Sequence, residues 1–208
     1  MKNFMNGFFA LLLLLLLSAC NTPWMTNTPR SAIEQYLIST TVERCFTYTN
    51  FMNYSNKKAF MDYTYFAPQV DKVYVQGVIE GRLSSFGVMI VKKQEEADIV
   101  VQPLCGVLGT DYDKFMIGTP SLPIPVPDTG MSFAIPEIPL FSKITRQAYG
   151  KFSVYIFDAK NRKLLESLEG IRSSAKYVNW IIMLIPFRTY DVEMDDSIEG
   201  RTSFDFAP

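Results

Sequence analysis

Residues 31–45, with the sequence SAIEQYLISTTVERC, indicate how the folded part of this chain begins. Ser31 and Glu34 match the S-x-x-E capping box, in which a hydroxyl and a carboxylate satisfy backbone donors at a helix start. Apolar residues follow at helical spacing, among them Ile33, Leu37 and Cys45. The pattern predicts a helix over residues 31–49 with one face on a core.

Further helix and strand patterns follow this segment. Residues 58–66, KAFMDYTYF, are rich in aromatic side chains and predict a strand. A second helix is predicted after Pro68, ending at Gly87. Strands are predicted over residues 88–91 and 97–102. The order predicts a single α/β (α+β) domain: a mixed β-sheet with at least two helices packed on one face.

Residues 106–141 form a long insertion in which prolines alternate with apolar residues. Such prolines argue against a regular helix and against any central strand. The insertion is apolar, unlike a disordered linker, so we expect a proline-rich arm that buries itself on its own domain, another subunit or lipid. The predicted partner-binding residues are its apolar side chains: Phe115, Leu122, Ile124, Val126, Phe133, Ile135, Ile138 and Phe141.

Regular patterns return after the arm. Residues 152–157 predict a strand buried on both faces, and residues 164–171 return after a turn to form a hairpin. Residues 177–185 are apolar and fit either a short helix or a strand. The acidic residues 191–199 predict a solvated surface segment.

The first twenty residues predict the cellular location of the protein. Lys2 precedes an apolar run from Phe8 to Leu17 that is too short to span a bilayer, which is typical of a signal peptide over residues 1–19. Leu17-Ser18-Ala19-Cys20 looks like a bacterial lipobox, in which the cysteine is acylated and becomes the first mature residue. Residues 20–30 would then form a lipidated tether, and residues 31–208 would form a periplasmic domain. Acyl chains such as palmitate would anchor the protein to the membrane. By similarity to enterobacterial sorting, Asn21 favours the outer membrane.

Composition excludes several function classes. The chain has 20 basic and 21 acidic side chains, so no basic surplus suggests a nucleic-acid partner. It has no histidine, which removes Ser-His-Asp and Cys-His catalysis and zinc sites built on imidazole. Phosphate-binding glycine motifs are also missing from the sequence. We therefore expect no enzyme, no catalytic residues, no metal and no cofactor.

Several polar or reactive groups leave alternatives open. Asp111 and Asp113 could bind a cation with Asp128, serve a hydrolase, or be a polar loop exit. The acidic run from Asp191 lacks the glycine that a calcium loop needs at its sixth position. Ser173 and Ser174 could contact a ligand or cap a helix.

Aromatic and cysteine side chains have a functional and a structural interpretation. Four aromatic residues could form a stacking surface for sugars or peptides, or they could simply belong to the core. They are Tyr63, Tyr65, Phe66 and Tyr74. Cys45 and Cys105 could form a disulfide in an oxidising compartment or stay as two buried thiols.

Four short stretches resemble motifs of a family of uncharacterised bacterial lipoproteins. They are Thr28-Pro-Arg-Ser-Ala-Ile-Glu-Gln35, Ala97 to Val101, Gly109-Thr-Asp111 and Gly118-Thr-Pro120. The order of elements is distantly similar to periplasmic α/β lipoproteins of the curli-secretion type. In those proteins the domains form rings, and inserted hairpins enter the outer membrane. The resemblance implies the domain architecture, whereas the prolines of this insertion depart from the pore-forming pattern.

These observations predict a membrane-anchored lipoprotein with a non-enzymatic assembly or accessory role in the bacterial envelope. It would contact copies of itself or partner proteins through the arm. The alternative is a small-ligand or lipid-binding lipoprotein in which the arm is a lid over a pocket between the aromatic strand and the second helix.

Overall fold

The computed structural model describes residues 30–66, 71–125, 132–192 and 204–205, with backbone only at 123–125, 132–135 and 204–205. The predicted signal peptide, Cys20, most of the tether, Val126, Asp128 and residues 193–199 lie outside the described residues. From Ala32 onward the chain forms one compact unit.

The elements of this unit alternate between helix and strand and then become entirely strand. The helices are α1 (Ala32–Thr47) and α2 (Lys72–Ser85). The early strands are β1 (Lys58–Met61), β2 (Met89–Val91) and β3 (Ile99–Thr119). They are followed by β4 (Leu122–Pro125), β5 (Ser132–Ile135), β6 (Ile138–Asp158), β7 (Leu164–Ile182), β8 (Ile185–Tyr190) and β9 (Phe204–Asp205).

The main sheet has the strand order β2-β1-β3-β6-β7-β8-β9, and β4 pairs with β5 in a separate two-stranded sheet. Strand β1 is parallel to both of its neighbours, whereas β3, β6, β7 and β8 are antiparallel to one another. The predicted mixed sheet with two helices packed against it is confirmed. Neither helix in the described part of the chain is long and apolar enough to cross a membrane.

The core is one cluster of buried residues from both helices and from β1, β3, β6 and β7. Leu37, Val42 and Phe46 of α1 are fully or almost fully buried there. Phe46 meets Phe152 of β6 with ring centroids 5.2 Å apart. Burying each such side chain contributes about 1.5–3 kcal/mol. Tyr155 of β6 is only half-buried, so the prediction that residues 152–157 are buried on both faces is wrong, because the helices cover one face.

The early elements follow the sequence patterns closely. The order helix, strand, helix, strand, strand is confirmed, and α2 is followed by Gly87 with φ +81°, a conformation that favours glycine. Strand β1 is shorter than predicted and ends at Met61. The carboxylate of Asp62 accepts a hydrogen bond from the Thr64 backbone N–H at 3.1 Å, which turns the chain there.

The arm is the main correction to the sequence-based fold. Residues 106–119 continue β3 and residues 138–141 begin β6, so two of the longest strands of the main sheet pass through the segment that was expected to exclude central strands. Pro139 pairs only towards β3, because the β6–β7 ladder begins at Phe141. Its missing N–H therefore removes no hydrogen bond from the β6–β7 ladder. Residues 177–185 also prove to be strand and turn.

Candidate functional site

The most distinctive surface of the molecule lies at the end of the long strands farthest from the β1 side. We call residues 111–119, 138–147, 176–182 and 185–190, from β3, β6, β7 and β8, the distal sheet. Its strands pair side by side, with Ile117 opposite Phe141, Phe141 opposite Ile182, and Ile182 opposite Ile185. Cross-strand partners point to the same face, so the register places their side chains side by side.

An aromatic row crosses one face of the distal sheet. It consists of Phe115, Phe141, Trp180 and Phe187. Neighbouring ring centroids in the row are 6.0 to 6.1 Å apart; the first two pairs meet edge to face, and Trp180 and Phe187 stack with an interplanar angle of 9°. Both geometries suit the quadrupoles of aromatic rings.

Polar contacts fix the indole of Trp180 within this row. Its Nε1 donates a hydrogen bond to Oγ1 of Thr189 at 3.0 Å. The Nζ of Lys143 lies 4.9 Å from the centroid of the same indole, within range of a cation–π interaction. The row therefore presents a rigid, amphipathic surface.

The two-residue turn between β7 and β8 extends this surface beyond the row. Met183 and Leu184 form the turn, are 71% and 62% exposed, and have φ values of +51° and +69°. Turns with two positive φ values favour Asn-Gly, whereas bulky side chains in this region are strained. A local cost in backbone energy thus accompanies two apolar side chains that face solvent.

Other exposed apolar residues gather around the same end. These are Ile117, Leu122, Ile138, Leu140, Ile182 and Ile185. The register places Ile117, Ile182 and Ile185 on the same face as the aromatic row. Several exposed apolar residues at one end of a sheet are typical of a contact with another molecule. We call these residues, together with the aromatic row, Met183 and Leu184, the apolar end.

The structure brings several predicted partner-binding residues together. Phe115 and Phe141 belong to the aromatic row, and Leu122 and Ile138 are exposed nearby in the chain, at 53% and 47%. In the β4–β5 pair, Ile124 is opposite Phe133, and Leu122 is opposite Ile135. These predictions about contacts remain untested.

Sequence reasoning missed the half of the apolar end contributed by β7 and β8. The signal was present, because residues 180–187 form the longest apolar run outside the leader and contain Trp180 and Met183. The run was ambiguous between helix and strand, so its position beside the arm could not be recognised from spacing alone.

The other candidate polar residues lie in strands of the main sheet. Asp111 and Asp113 are exposed on β3, opposite Gln147 and Thr145. Among the described residues no group of three His, Cys, Asp or Glu side chains is close enough to hold a metal ion. Ser173 and Ser174 lie within β7, so the expectation that they cap a helix is wrong.

The aromatic residues around β1 are divided between core and surface. Phe66 is buried and meets Tyr63 edge to face, with centroids 5.9 Å apart. The hydroxyl of Tyr63 donates to Oε1 of Glu80 at 3.0 Å, and burial followed by the Glu80 charge raises the pKa of Tyr63 well above its usual range. Tyr65 is exposed, while Tyr74 bonds to Glu43 of α1. They form no shared stacking surface.

The two described cysteines are free thiols. Cys45 on α1 is buried, and its Sγ lies 3.7 Å from the carbonyl oxygen of Gly150. Burial raises the pKa of Cys45 to about 11, and burial likewise raises that of Cys105 to about 11. Both groups are thus protonated and unreactive at neutral pH.

Comparison with known proteins places the chain in a family. Residues 16–197 match the profile of a family of unknown function (DUF6655), and the chain belongs to that family. No protein of curated function matches the sequence.

Two solved structures are similar in part. One is lipoprotein GNA1162 from Neisseria meningitidis, with 13% identity over 60% of this chain and 83% of that chain, and a TM-score of 0.29. The other is described as a neuraminyllactose-binding hemagglutinin homolog from Helicobacter pylori, with 11% identity over 74% of this chain and 82% of that chain, and a TM-score of 0.31. Neither likeness is close enough to carry an argument about function.

Proposed function

We propose that this protein is a lipid-anchored assembly protein of the bacterial envelope that associates with further copies of itself through the apolar end. Its role is non-enzymatic. The domain lies in the periplasm, and acylated Cys20 tethers it to the outer membrane. The leader, the lipobox-like residues and the absence of histidine from the sequence support the address and the non-enzymatic role.

The observation that carries the proposal is the turn at Met183 and Leu184. A free surface turn gains nothing from two bulky apolar residues at positive φ, which cost about 1–3 kcal/mol each in strain. A turn that is buried in an assembly recovers this cost through apolar burial. The surrounding aromatic row supplies the type of residue that dominates binding energy in interfaces.

A second copy is the favoured partner because the same sheet also has an open edge. Beyond Val101, where pairing with β1 ends, β3 pairs only with β6 among the described residues. Such an edge exposes backbone donors and acceptors that another strand can satisfy. A second copy brings both the apolar end and a strand edge to one contact.

The lid alternative is less well supported. A lid would have to arch over α2 and the aromatic segment after β1. Residues 106–119 instead pair with β6, and β6 pairs in turn with β7, so the arm continues the sheet outward.

The test is the mass of the full-length Cys20→Ser chain in solution, beside a Met183→Asn, Leu184→Gly variant. We expect an oligomer for the first and a monomer for the second. At a protein concentration at which the parent is also monomeric, the variant should have the higher free energy of unfolding, because Asn-Gly adopts the turn without strain.

Met52 and Val73 provide the matched control, since both are exposed apolar residues outside the distal sheet, at 61% and 81%. The Met52→Asn, Val73→Asn variant should remain oligomeric. A monomeric Cys20→Ser parent, or a turn variant that stays oligomeric, would contradict the proposal.

The anchor is tested separately by labelling cells with a palmitate analogue. The wild-type protein should carry the label and partition with the outer membrane, and Cys20→Ser should do neither. Label that is retained in the variant would place the acyl chain elsewhere.

A further inference from the structure

An open groove of about 500 Å³ lies at the inner margin of the distal sheet, away from the apolar end. It is formed by neighbouring stretches of β3, β6 and β7. The residues that line it are Val107, Tyr149, Gly150, Lys151, Arg172, Ser173 and Ser174. The groove shares no residue with the apolar end.

Two cations meet in the groove in an arrangement that is unfavourable by itself. Lys151 on β6 and Arg172 on β7 are directly opposite each other in the antiparallel register, and both are exposed. Like charges at directly opposed positions destabilise a strand pair. Over the ranges that the structure describes, neither side chain forms an ion pair or hydrogen bond with an acidic residue.

Hydroxyl groups lie on the next rung of the same face. Tyr149 and Ser174 are cross-strand partners, each two residues from one of the cations. Two residues along a strand correspond to about 7 Å, and adjacent strands are about 4.8 Å apart. The four side chains therefore lie close together on one face of the sheet, within reach of one anionic group.

Strand β3 leaves one side of this space open. Gly109 is opposite Tyr149 and has no side chain, and a Cβ placed there would meet nothing within 4 Å. On the neighbouring rung, Val107 is opposite Lys151 and supplies an apolar wall. The groove is thus open to a ligand with an apolar part beside its anionic group.

We propose that this groove binds a phosphate group. The Arg172 guanidinium matches phosphate oxygens with a fork of donors, and Lys151 adds a compact charge beside it. The two hydroxyls bring further donors, more than the two oxygens of a carboxylate need and well suited to a phosphate. The phosphate belongs either to a lipid headgroup or to a free phosphorylated small molecule.

The test is a titration of the full-length Cys20→Ser chain with inorganic phosphate at constant ionic strength, followed by amide chemical shifts. The groove variant carries Lys151→Gln and Arg172→Gln. The control variant carries Lys92→Gln and Lys93→Gln, which remove the same charge from exposed positions far from the groove in the chain. We expect saturable binding in the parent and the control, at least tenfold weaker binding in the groove variant, and about threefold weaker binding in Ser174→Ala.

A second readout separates a binding site from a structural role. Without phosphate, the groove variant should melt at the same temperature as the parent or higher, because the like-charge pair has been removed. No saturable phosphate binding in the parent, equal loss in the control, or a groove variant that melts well below the parent would overturn the proposal.

The source of the phosphate is distinguished with vesicles. A lipid headgroup is the source if phosphatidylglycerol vesicles bind the protein, inorganic phosphate displaces them, and phosphatidylcholine vesicles do not bind. Phosphate binding without vesicle binding assigns a free phosphorylated molecule.

Discussion

At Gly150, β6 lies close against α1. A Cβ placed on Gly150 would lie 2.9 Å from Cγ2 of Thr41 and 3.1 Å from Sγ of Cys45, both on the helix. These contacts link residues more than a hundred positions apart in sequence, so no local pattern could identify this glycine as a packing residue. The helix and the sheet can meet at this distance only without a side chain at position 150.

We therefore expect Gly150→Ala to lower the free energy of unfolding by about 1–3 kcal/mol, because the added methyl group forces the helix and the sheet apart. Urea denaturation measures the effect. Gly109→Ala is the matched control in the neighbouring strand, where a Cβ meets nothing within 4 Å, and it should be neutral or slightly stabilising. Equal effects of the two substitutions would show that Gly150 is not a packing constraint.

At the scale of elements, the side chain of Arg82 joins the two helices. Arg82 of α2 donates from Nε and Nη2 to the carbonyl oxygen of Thr49, at 3.2 and 3.0 Å, and also to that of Thr47 at the end of α1. Its guanidinium carbon lies 4.8 Å from the ring centroid of Phe86. The carbonyls that follow α1 thereby obtain partners that the helix itself does not provide.

Arg82→Ala should lower the free energy of unfolding by about 1–3 kcal/mol, since it leaves these carbonyls without charged donors. Arg82→Lys should recover only part of the loss, because an ammonium group cannot donate as a fork. Hydrogen exchange in the last turn of α1 should accelerate in both variants. Lys72→Ala at the start of α2 is the control and should change stability by less than about 0.5 kcal/mol; a loss as large as that of Arg82→Ala would remove the special role of Arg82.

The elements also show which parts of the fold the sequence could predict. The helices were accessible because capping, spacing and the positive φ of Gly87 are local properties. The prediction that the arm excludes central strands is wrong because its prolines lie in only part of it: residues 106–119 contain none and form most of the long β3 strand. Half of the apolar end was missed for a related reason, since β7 and β8 reach it through long-range pairing.

For the molecule as a whole, buried thiols link stability to alkaline pH. Burial raises the pKa of Cys45 to about 11, whereas a thiol in an unfolded chain has a pKa of about 8.5. Between these values the unfolded chain releases a proton that the folded chain retains, so the stabilisation is complete below about pH 8.5 and is lost as the pH rises towards 11.

We expect the free energy of unfolding to fall across pH 8.5 to 10, by up to about 1.4 kcal/mol per pH unit from Cys45. Urea denaturation at a series of pH values measures the slope, and Cys45→Ala should reduce it by about half, leaving the part that Cys105 contributes. Keeping the range below pH 10 limits the contribution of Tyr63, whose pKa burial also raises. A slope that Cys45→Ala leaves unchanged would assign the alkaline loss to other groups.

The ladder between β3 and β6 has a consequence for the order in which the chain folds. At its outer end Thr119 is opposite Ile138, whereas at the core Ile99 is opposite Asp158. The entropy lost on closing a loop grows with its length, so we expect the outer rungs to form first and the ladder to extend from there towards the helices. The register reaching the core therefore depends on the irregularities between Ile117 and Gly118 and between Cys105 and Val107, since a slip of one residue would turn the core side chains to the opposite face. The part of the molecule that contributes least to the core thus sets its alignment during folding.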